Sequence, residues 1–107
     1  MSLYLGELEQ MLLLVILQLN DEAYGVTIRR TLFERAARDV SLATVYTTLD
    51  RLEQKGCVTT RMGEPTAERG GRRKRYYRVS VVGMRTLKAS LGAIRSLTDG
   101  LGREFRV

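Results

Sequence analysis

The sequence predicts a winged helix-turn-helix fold, mainly α with a β-hairpin, in the order helix, helix, helix, strand, strand, helix. Three observations carry that expectation. Two amphipathic segments stand a few residues apart, with "RDVS" at most between them, which is helix-turn-helix spacing. After Gly56 the hydrophobic period changes from 3.6 toward 2, as in a chain passing from helix to hairpin. Between Arg61 and Arg78 lie seven basic residues and two acids, so this segment holds +5 of the formal net charge of +6. Charge focused in this way marks a working surface better than diffuse charge does.

Each element has its own signal. Leu8 to Leu19, "LEQMLLLVILQL", is the most apolar segment, with Glu7 and Glu9 in its first turn and "NDE" at its end; acids at a helix start complement the dipole. Met11 to Leu17 is apolar all round, so the helix is buried on more than one side. Two readings fit: a central core helix, or a core helix that also meets a second subunit. The second helix starts near Tyr24 or Gly25 and ends near Ala37, with Tyr24, Ile28 and Leu32 at i, i+4, i+8. The third has Ser41 as N-cap and Gly56 after its end, and Leu42, Val45, Leu49 and Leu52 form its apolar stripe; these are good capping residues at either end.

"CVTTRM" and "RYYRVS" read as strands around "GEPTAERGGRRK", which holds the only proline, Pro65. Tyr77 and Val79 face inward and Tyr76 and Arg78 outward, or the reverse if the register slips by one. Ser80 caps a last helix whose seam is Leu87, Leu91, Ile94, Thr98, Leu101 and Phe105, with fraying expected near Gly100. The chain has 107 residues, 44 % of them apolar, enough for one core. Residues 1–80 make the winged helix-turn-helix, with the wing at about 57–80, and residues 81–107 the C-terminal helix of the same compact unit.

The third helix raises the functional question, because threonine is a poor helix former. Thr44, Thr47, Thr48, Arg51 and Lys55 recur at i, i+3, i+4, i+7, i+11 and are expected on a face opposite the leucines. In a helix-turn-helix the second helix enters the major groove with its N-terminal residues near the base edges. Threonine suits that place, being short, able to donate or accept, and carrying a methyl that can meet thymine's. Ser41 lies at the same end. Arg51 would read guanine or clamp phosphate, and Lys55 would hold the backbone. In the hairpin, Arg61, Arg69, Arg72, Arg73, Lys74 and Arg75 would meet phosphates or the minor groove, releasing counterions. The plainer alternatives are a solvated helix face and a solubilising loop. Another is a winged-helix protein-interaction module whose basic hairpin meets an acidic partner.

Other classes recede. There is no histidine, so histidine-based acid–base catalysis and the usual metal sites are absent. No paired-carboxylate site appears, and we expect no enzyme, no cofactor and no metal. Cys57 is the single cysteine, which rules out an intrachain disulfide and suits a reducing, cytoplasmic setting. "MLLLVIL" is too short to span a bilayer and is not preceded by a basic n-region, so no membrane association is expected.

The chain resembles the PadR-type transcriptional regulators over nearly its whole length. The resemblance rests on "LGELEQMLLLVIL", "DEAYGVTIRRTL", "SLATVYTTLDRLEQKGCV" and "RRKRYYRVSVVGMRTL", in that order and spacing. It implies a homodimeric winged-helix protein that binds double-stranded DNA at a near-palindromic operator. Such proteins are usually repressors, released by a small-molecule effector or a stress signal. The resemblance also implies a dimer made by the first and last helices, which puts Leu8, Met11, Leu12, Val15, Leu87, Leu91, Ile94 and Leu101 at the interface and leaves room there for an effector. Tyr24 and Tyr46 are implied to be scaffold positions near the DNA face. Cys57 stands where the family usually has a larger aliphatic or aromatic residue, and Ser80 where threonine is usual. Without tryptophan, an effector pocket built on paired indoles is excluded. The short C-terminal part matches the compact subgroup with one C-terminal helix.

Overall fold

The structure, a computed structural model, describes residues 4–65 and 73–105. Helix α1 spans Glu7–Leu19, α2 Gly25–Ala36 and α3 Leu42–Gln54; strand β1 spans Val58–Met62 and β2 Arg75–Val79; helix α4 spans Val81–Thr98. Short 3-10 turns lie at Asn20–Glu22 and Arg103–Phe105. This is the expected element order, with boundaries within a residue or two of those read from the sequence except at the end of α4: the helix stops at Thr98, and Gly100 and Gly102, at φ +82° and +92°, leave Leu101 and Phe105 beyond it rather than on a helical seam.

Capping explains the boundaries. The Gly6 N–H donates to Glu9 Oε1 at 2.7 Å, giving one orphan donor of the α1 start a partner. Ser41 Oγ accepts from Thr44 N at 3.0 Å, and Ser80 Oγ from Gly83 N at 2.9 Å. At the far end of α3, Gly56 has φ +75°. Cys57 N donates to Leu52 O at 2.8 Å and Gly56 N to Glu53 O at 2.9 Å, the bond pair of a Schellman motif. Helix α2 ends on Ala37, at φ 54° and ψ 29°, a left-handed conformation that costs a non-glycine residue about 1–2 kcal/mol.

The core gathers around α1. Leu12, Leu13, Val15 and Ile16 are buried against Ile28 and Leu32 of α2, Val45, Leu49 and Leu52 of α3, Val58 and Tyr77 of the hairpin, and Leu87 of α4. Each such side chain contributes about 1.5–3 kcal/mol on burial. The all-round apolar character of α1 is thus spent mainly inside one chain. Leu12, Val15 and Leu87, expected at a dimer interface, belong to this core, with exposures of 0 %, 7 % and 2 %. The expectation is corrected, because α1 is wrapped by three helices and the hairpin. Leu8 and Met11 are half-buried, packed against the same cluster.

Beyond Leu87, α4 leaves the core. Leu91, Ile94, Leu97, Leu101 and Phe105 are exposed, Leu97 at 79 %. Three of the expected interface residues, Leu91, Ile94 and Leu101, therefore lie on an uncovered apolar face, and Leu97 joins them.

The hairpin is antiparallel, pairing Val58 with Val79 through to Met62 with Arg75. Tyr77 is buried and Arg78 exposed, so the register puts Tyr77 inward as expected. An isolated bridge outside the two strands adds to the hairpin. Tyr24 bridges to Tyr76, and Tyr77 N donates to Ala23 O at 2.8 Å, which fastens the wing to the segment leading into α2.

Candidate nucleic-acid interface

Helix α3 is held firmly on one side and open on the other. Val45, Thr48, Leu49 and Leu52 are its buried residues. At about 100° per residue, the arc opposite them runs through Ala43, Thr47, Asp50 and Gln54, flanked by Thr44 and Arg51; all six are exposed. Thr44, Thr47 and Arg51 thus lie where the sequence placed them.

Thr48 does not. It is 2 % exposed, and its hydroxyl donates to Thr44 O at 2.8 Å. It sits beside the leucine stripe, where it satisfies its own polarity inside the helix. Lys55 is corrected as well. Its Nζ donates to Glu9 Oε1 and Oε2, both at 2.8 Å, and to Tyr4 O at 2.7 Å. An ammonium has three donors, and here all three have partners within the chain. Asp50 and Gln54 also lie on this arc, although neither a threonine nor a basic pattern marks them in the sequence. The i, i+4, i+7, i+11 spacing of Ala43, Thr47, Asp50 and Gln54 would have found the arc.

The exposed threonines are partly engaged. Ser41 Oγ donates to Thr44 Oγ1 at 2.9 Å, and Thr47 Oγ1 donates to Ala43 O at 3.0 Å. Thr44 keeps its hydroxyl proton to donate, while Thr47 offers a methyl and the lone pairs of its oxygen. No hydrogen bond or ion pair engages the Arg51 side chain among the described residues.

Tyr46 connects this helix to the next part of the surface. It is 42 % exposed and lies across the start of α2, so close that a Cβ on Gly25 would stand 2.5 Å from the Tyr46 hydroxyl. A side chain at position 25 would push the Tyr46 ring aside. Tyr24, the residue before it, packs edge-on against Tyr76, with ring centroids 5.5 Å apart. Arg61 lies over the other ring of this pair, 4.4 Å from the Tyr76 centroid, and Lys74 Nζ lies 4.6 Å from the Tyr24 centroid. Tyr46, lying over the buried Gly25, and then Tyr24, Tyr76, Arg61 and Lys74 therefore form one continuous surface from α3 to the wing, with two cations stacked on two tyrosines. Tyr76, on the outward side of β2, thus packs on Tyr24 rather than on the core.

The remaining wing residues divide. Arg73 and Lys74 are exposed at the end of β2. Arg75 turns toward α3, 3.9 Å from Glu53, and so braces the wing rather than extending from it. Arg61 also donates to Asp21 O at 3.2 Å, and Arg78 pairs with Asp21 at 2.8 Å. Arg69 and Arg72 lie outside the described residues. No cluster of three or more metal-ligating side chains occurs among the described residues, and no described helix is long and apolar enough to cross a membrane.

Comparison with known proteins agrees with this arrangement. Residues 13–89 match the family described as the transcriptional regulator PadR-like family. A PadR family transcriptional regulator from Eggerthella lenta is 28 % identical, with TM-score 0.67 over 90 % of this chain and 83 % of that one. A PadR-like transcription factor from Bacteroides fragilis is 27 % identical, with TM-score 0.73 over 90 % and 87 %. A transcriptional regulator from Clostridium thermocellum has the same TM-score and coverage at 21 % identity, a likeness of fold. No curated protein matches the sequence.

Proposed function

The chain belongs to the transcriptional regulator PadR-like family, and from that premise we propose that it is a cytoplasmic, sequence-specific regulator that binds double-stranded DNA as a homodimer. The observation that carries the proposal is the continuous surface joining the outward arc of α3 to the cation-bearing wing. In this reading, Thr44, Thr47 and Arg51 meet base edges in the major groove. Ala43 adds an apolar contact, and Asp50 is placed to accept from a cytosine amino group. Ser41 shapes the helix start, and Tyr46 sets its height over α2. Arg61, Arg73 and Lys74 face phosphates, where each neutralised charge releases counterions.

Residues 1–80 supply the DNA-binding unit and residues 81–107 the dimerising helix. The exposed Leu91, Ile94, Leu97 and Leu101 support that division, since an apolar face of this extent on a basic chain is best covered by a second copy. Two copies of α3 would then enter successive major grooves of a near-palindromic operator, about 34 Å apart. A small molecule or stress signal acting at the dimer interface would change the angle between the halves and relieve repression.

Titration of a labelled mixed-sequence duplex across a salt series tests the proposal. Affinity should fall steeply with salt, and Arg73→Ala or Lys74→Ala should each reduce the slope by about one while weakening all sequences alike. Absence of binding to any duplex at low salt would remove the DNA-binding reading.

A further inference from the structure

The three residues after α3 are gripped from two sides. On one side Lys55 reaches α1: its ammonium is bound by both oxygens of Glu9 and by Tyr4 O. The Glu9 side chain is only 7 % exposed and that of Lys55 28 %, so the pair is shielded from competing water and salt. Glu9 is itself fixed, because Oε1 also accepts from Gly6 N. On the other side Gly56 and Cys57 meet the start of α4. Ser80 Oγ donates to Gly56 O at 2.6 Å, and Ser80 N to Cys57 O at 3.0 Å. Gly83 lies so near that a Cβ there would stand 2.0 Å from Cys57 O.

We propose that Lys55–Gly56–Cys57 is the joint through which α1 and α4 set the pitch of α3, with Lys55 acting as a positioning residue rather than a DNA contact. Leu49 and Leu52 seat the C-terminal half of α3 on the core, and the turn that follows adds a tie to each of two other helices. Here the tie to α1 is an ion pair across 46 residues of sequence, and the tie to α4 is two hydrogen bonds and a side-chain-free contact. A rotation of α4 against α1 cannot be absorbed at this turn without breaking one set. It is passed to α3 instead, as in switches where packed elements move as rigid pieces. A phosphate-binding lysine would hold its ammonium toward solvent, whereas this one points into its own chain. The functional consequence rests on the DNA-binding reading above, while the mechanical one does not.

The test uses the full chain with Glu9→Gln, Lys55→Gln and the double variant. Glu9→Gln keeps an oxygen to accept from Gly6 N, and so keeps the helix start. The DNA-free readout is the distance between spin labels at Gln18 on α1 and Asp50 on α3, with labelled protein diluted in unlabelled. The joint predicts that each variant broadens or shifts this distance and that the double variant is no worse than either single one. Unchanged distances would overturn the proposal whether or not DNA binds.

The second readout is the affinity ratio between two-half-site duplexes at the preferred spacing and one base pair longer. A rigid joint should discriminate by about tenfold or more, and each variant should bring that ratio toward one with the salt slope unchanged. If Lys55→Gln instead lowered the slope by about 0.9 while Glu9→Gln did nothing, Lys55 would be a phosphate contact and the joint would be wrong. Lower thermal stability with distances and spacing ratio intact would mean a merely structural pair, and would also overturn it. If the wild-type chain bound no duplex, the DNA reading alone would fail, and the label distances would still decide the joint.

Discussion

Replacing Gly83 by alanine should destabilise the protein, although the same change in an open helix stabilises. Alanine is better than glycine by about 1 kcal/mol in a helix interior. At Gly83 the new methyl would stand 2.0 Å from Cys57 O, 2.9 Å from the carbonyl carbon and 3.0 Å from Cα. All three are backbone atoms, so no side chain can rotate away. The start of α4 would have to retreat by more than an ångström. That movement strains or breaks the bonds from Ser80 N to Cys57 O and from Ser80 Oγ to Gly56 O. Overpacking costs about 1–3 kcal/mol and each lost hydrogen bond about 1 kcal/mol. With one of the two bonds lost and the propensity gain subtracted, the net loss is about 2 kcal/mol. For a domain of this size, 1 kcal/mol moves Tm by about 4–8 °C, so Tm should fall by roughly 8–16 °C. Gly92 is the internal control. It lies in the same helix, and nothing stands within 4 Å of its added Cβ, so Gly92→Ala should raise Tm by about 4–8 °C. Thermal melts followed by far-ultraviolet circular dichroism, at one protein concentration, compare the two. If Gly83→Ala raised Tm as Gly92→Ala does, the close approach of α4 to the α3–β1 turn would be refuted.

The helix face can be checked with two threonines: Thr48→Val should cost no more than about 1 kcal/mol and leave sequence preference intact, whereas Thr47→Ala should leave Tm nearly unchanged and reduce discrimination by about tenfold or more in competition binding. Ala37→Gly should raise stability by about 1 kcal/mol in urea unfolding, because the left-handed backbone at φ 54° is strained for alanine and open to glycine. Burial pushes the Cys57 thiol above its ordinary 9.0, with Lys55 opposing and Glu9 adding to the rise. The folded state therefore prefers the neutral thiol: its stabilising contribution is complete below pH 9.0 and is lost as pH rises toward the folded-state value. Urea midpoints measured through that range should fall less steeply for Cys57→Ala than for the wild type. Tyr77, raised from 10.0 mainly by burial, would account for much of the alkaline loss that remains.

Local chemistry made the fold legible. Ser41, Ser80 and Gly56 are strong punctuation, and the structure uses each as a cap or stop. The change of period after Gly56 located the hairpin because β1 and β2 have one face in the core. Long-range partners were harder to see. Thr48 and Lys55 fell close to the threonine and arginine positions on a helical wheel, yet Thr48 lies just inside the core boundary and Lys55 is claimed by Glu9, 46 residues away. Nothing in a local pattern records such a pairing. The same holds for Leu12, Val15 and Leu87, because apolar spacing says that a residue is covered but not whether its own chain covers it. The Tyr24–Tyr76 contact was likewise invisible, since it joins the approach to α2 with a strand far along the chain. What could be read was the outward arc itself, had every exposed residue been counted rather than the threonines and cations alone.

In the proposed complex, the α3 arc and the wing of two copies together read duplex DNA as a symmetric pair. Selection of bound fragments from a random duplex pool tests it most directly, because one experiment reports the site, its symmetry and its spacing. The expected result is an enriched near-palindrome whose half-sites lie about one helical turn apart, roughly 10–10.5 base pairs centre to centre, with enrichment lost in Thr47→Ala. A pool that emerges unenriched, or that yields a motif with no two-fold symmetry and no dependence on Thr47, would contradict it.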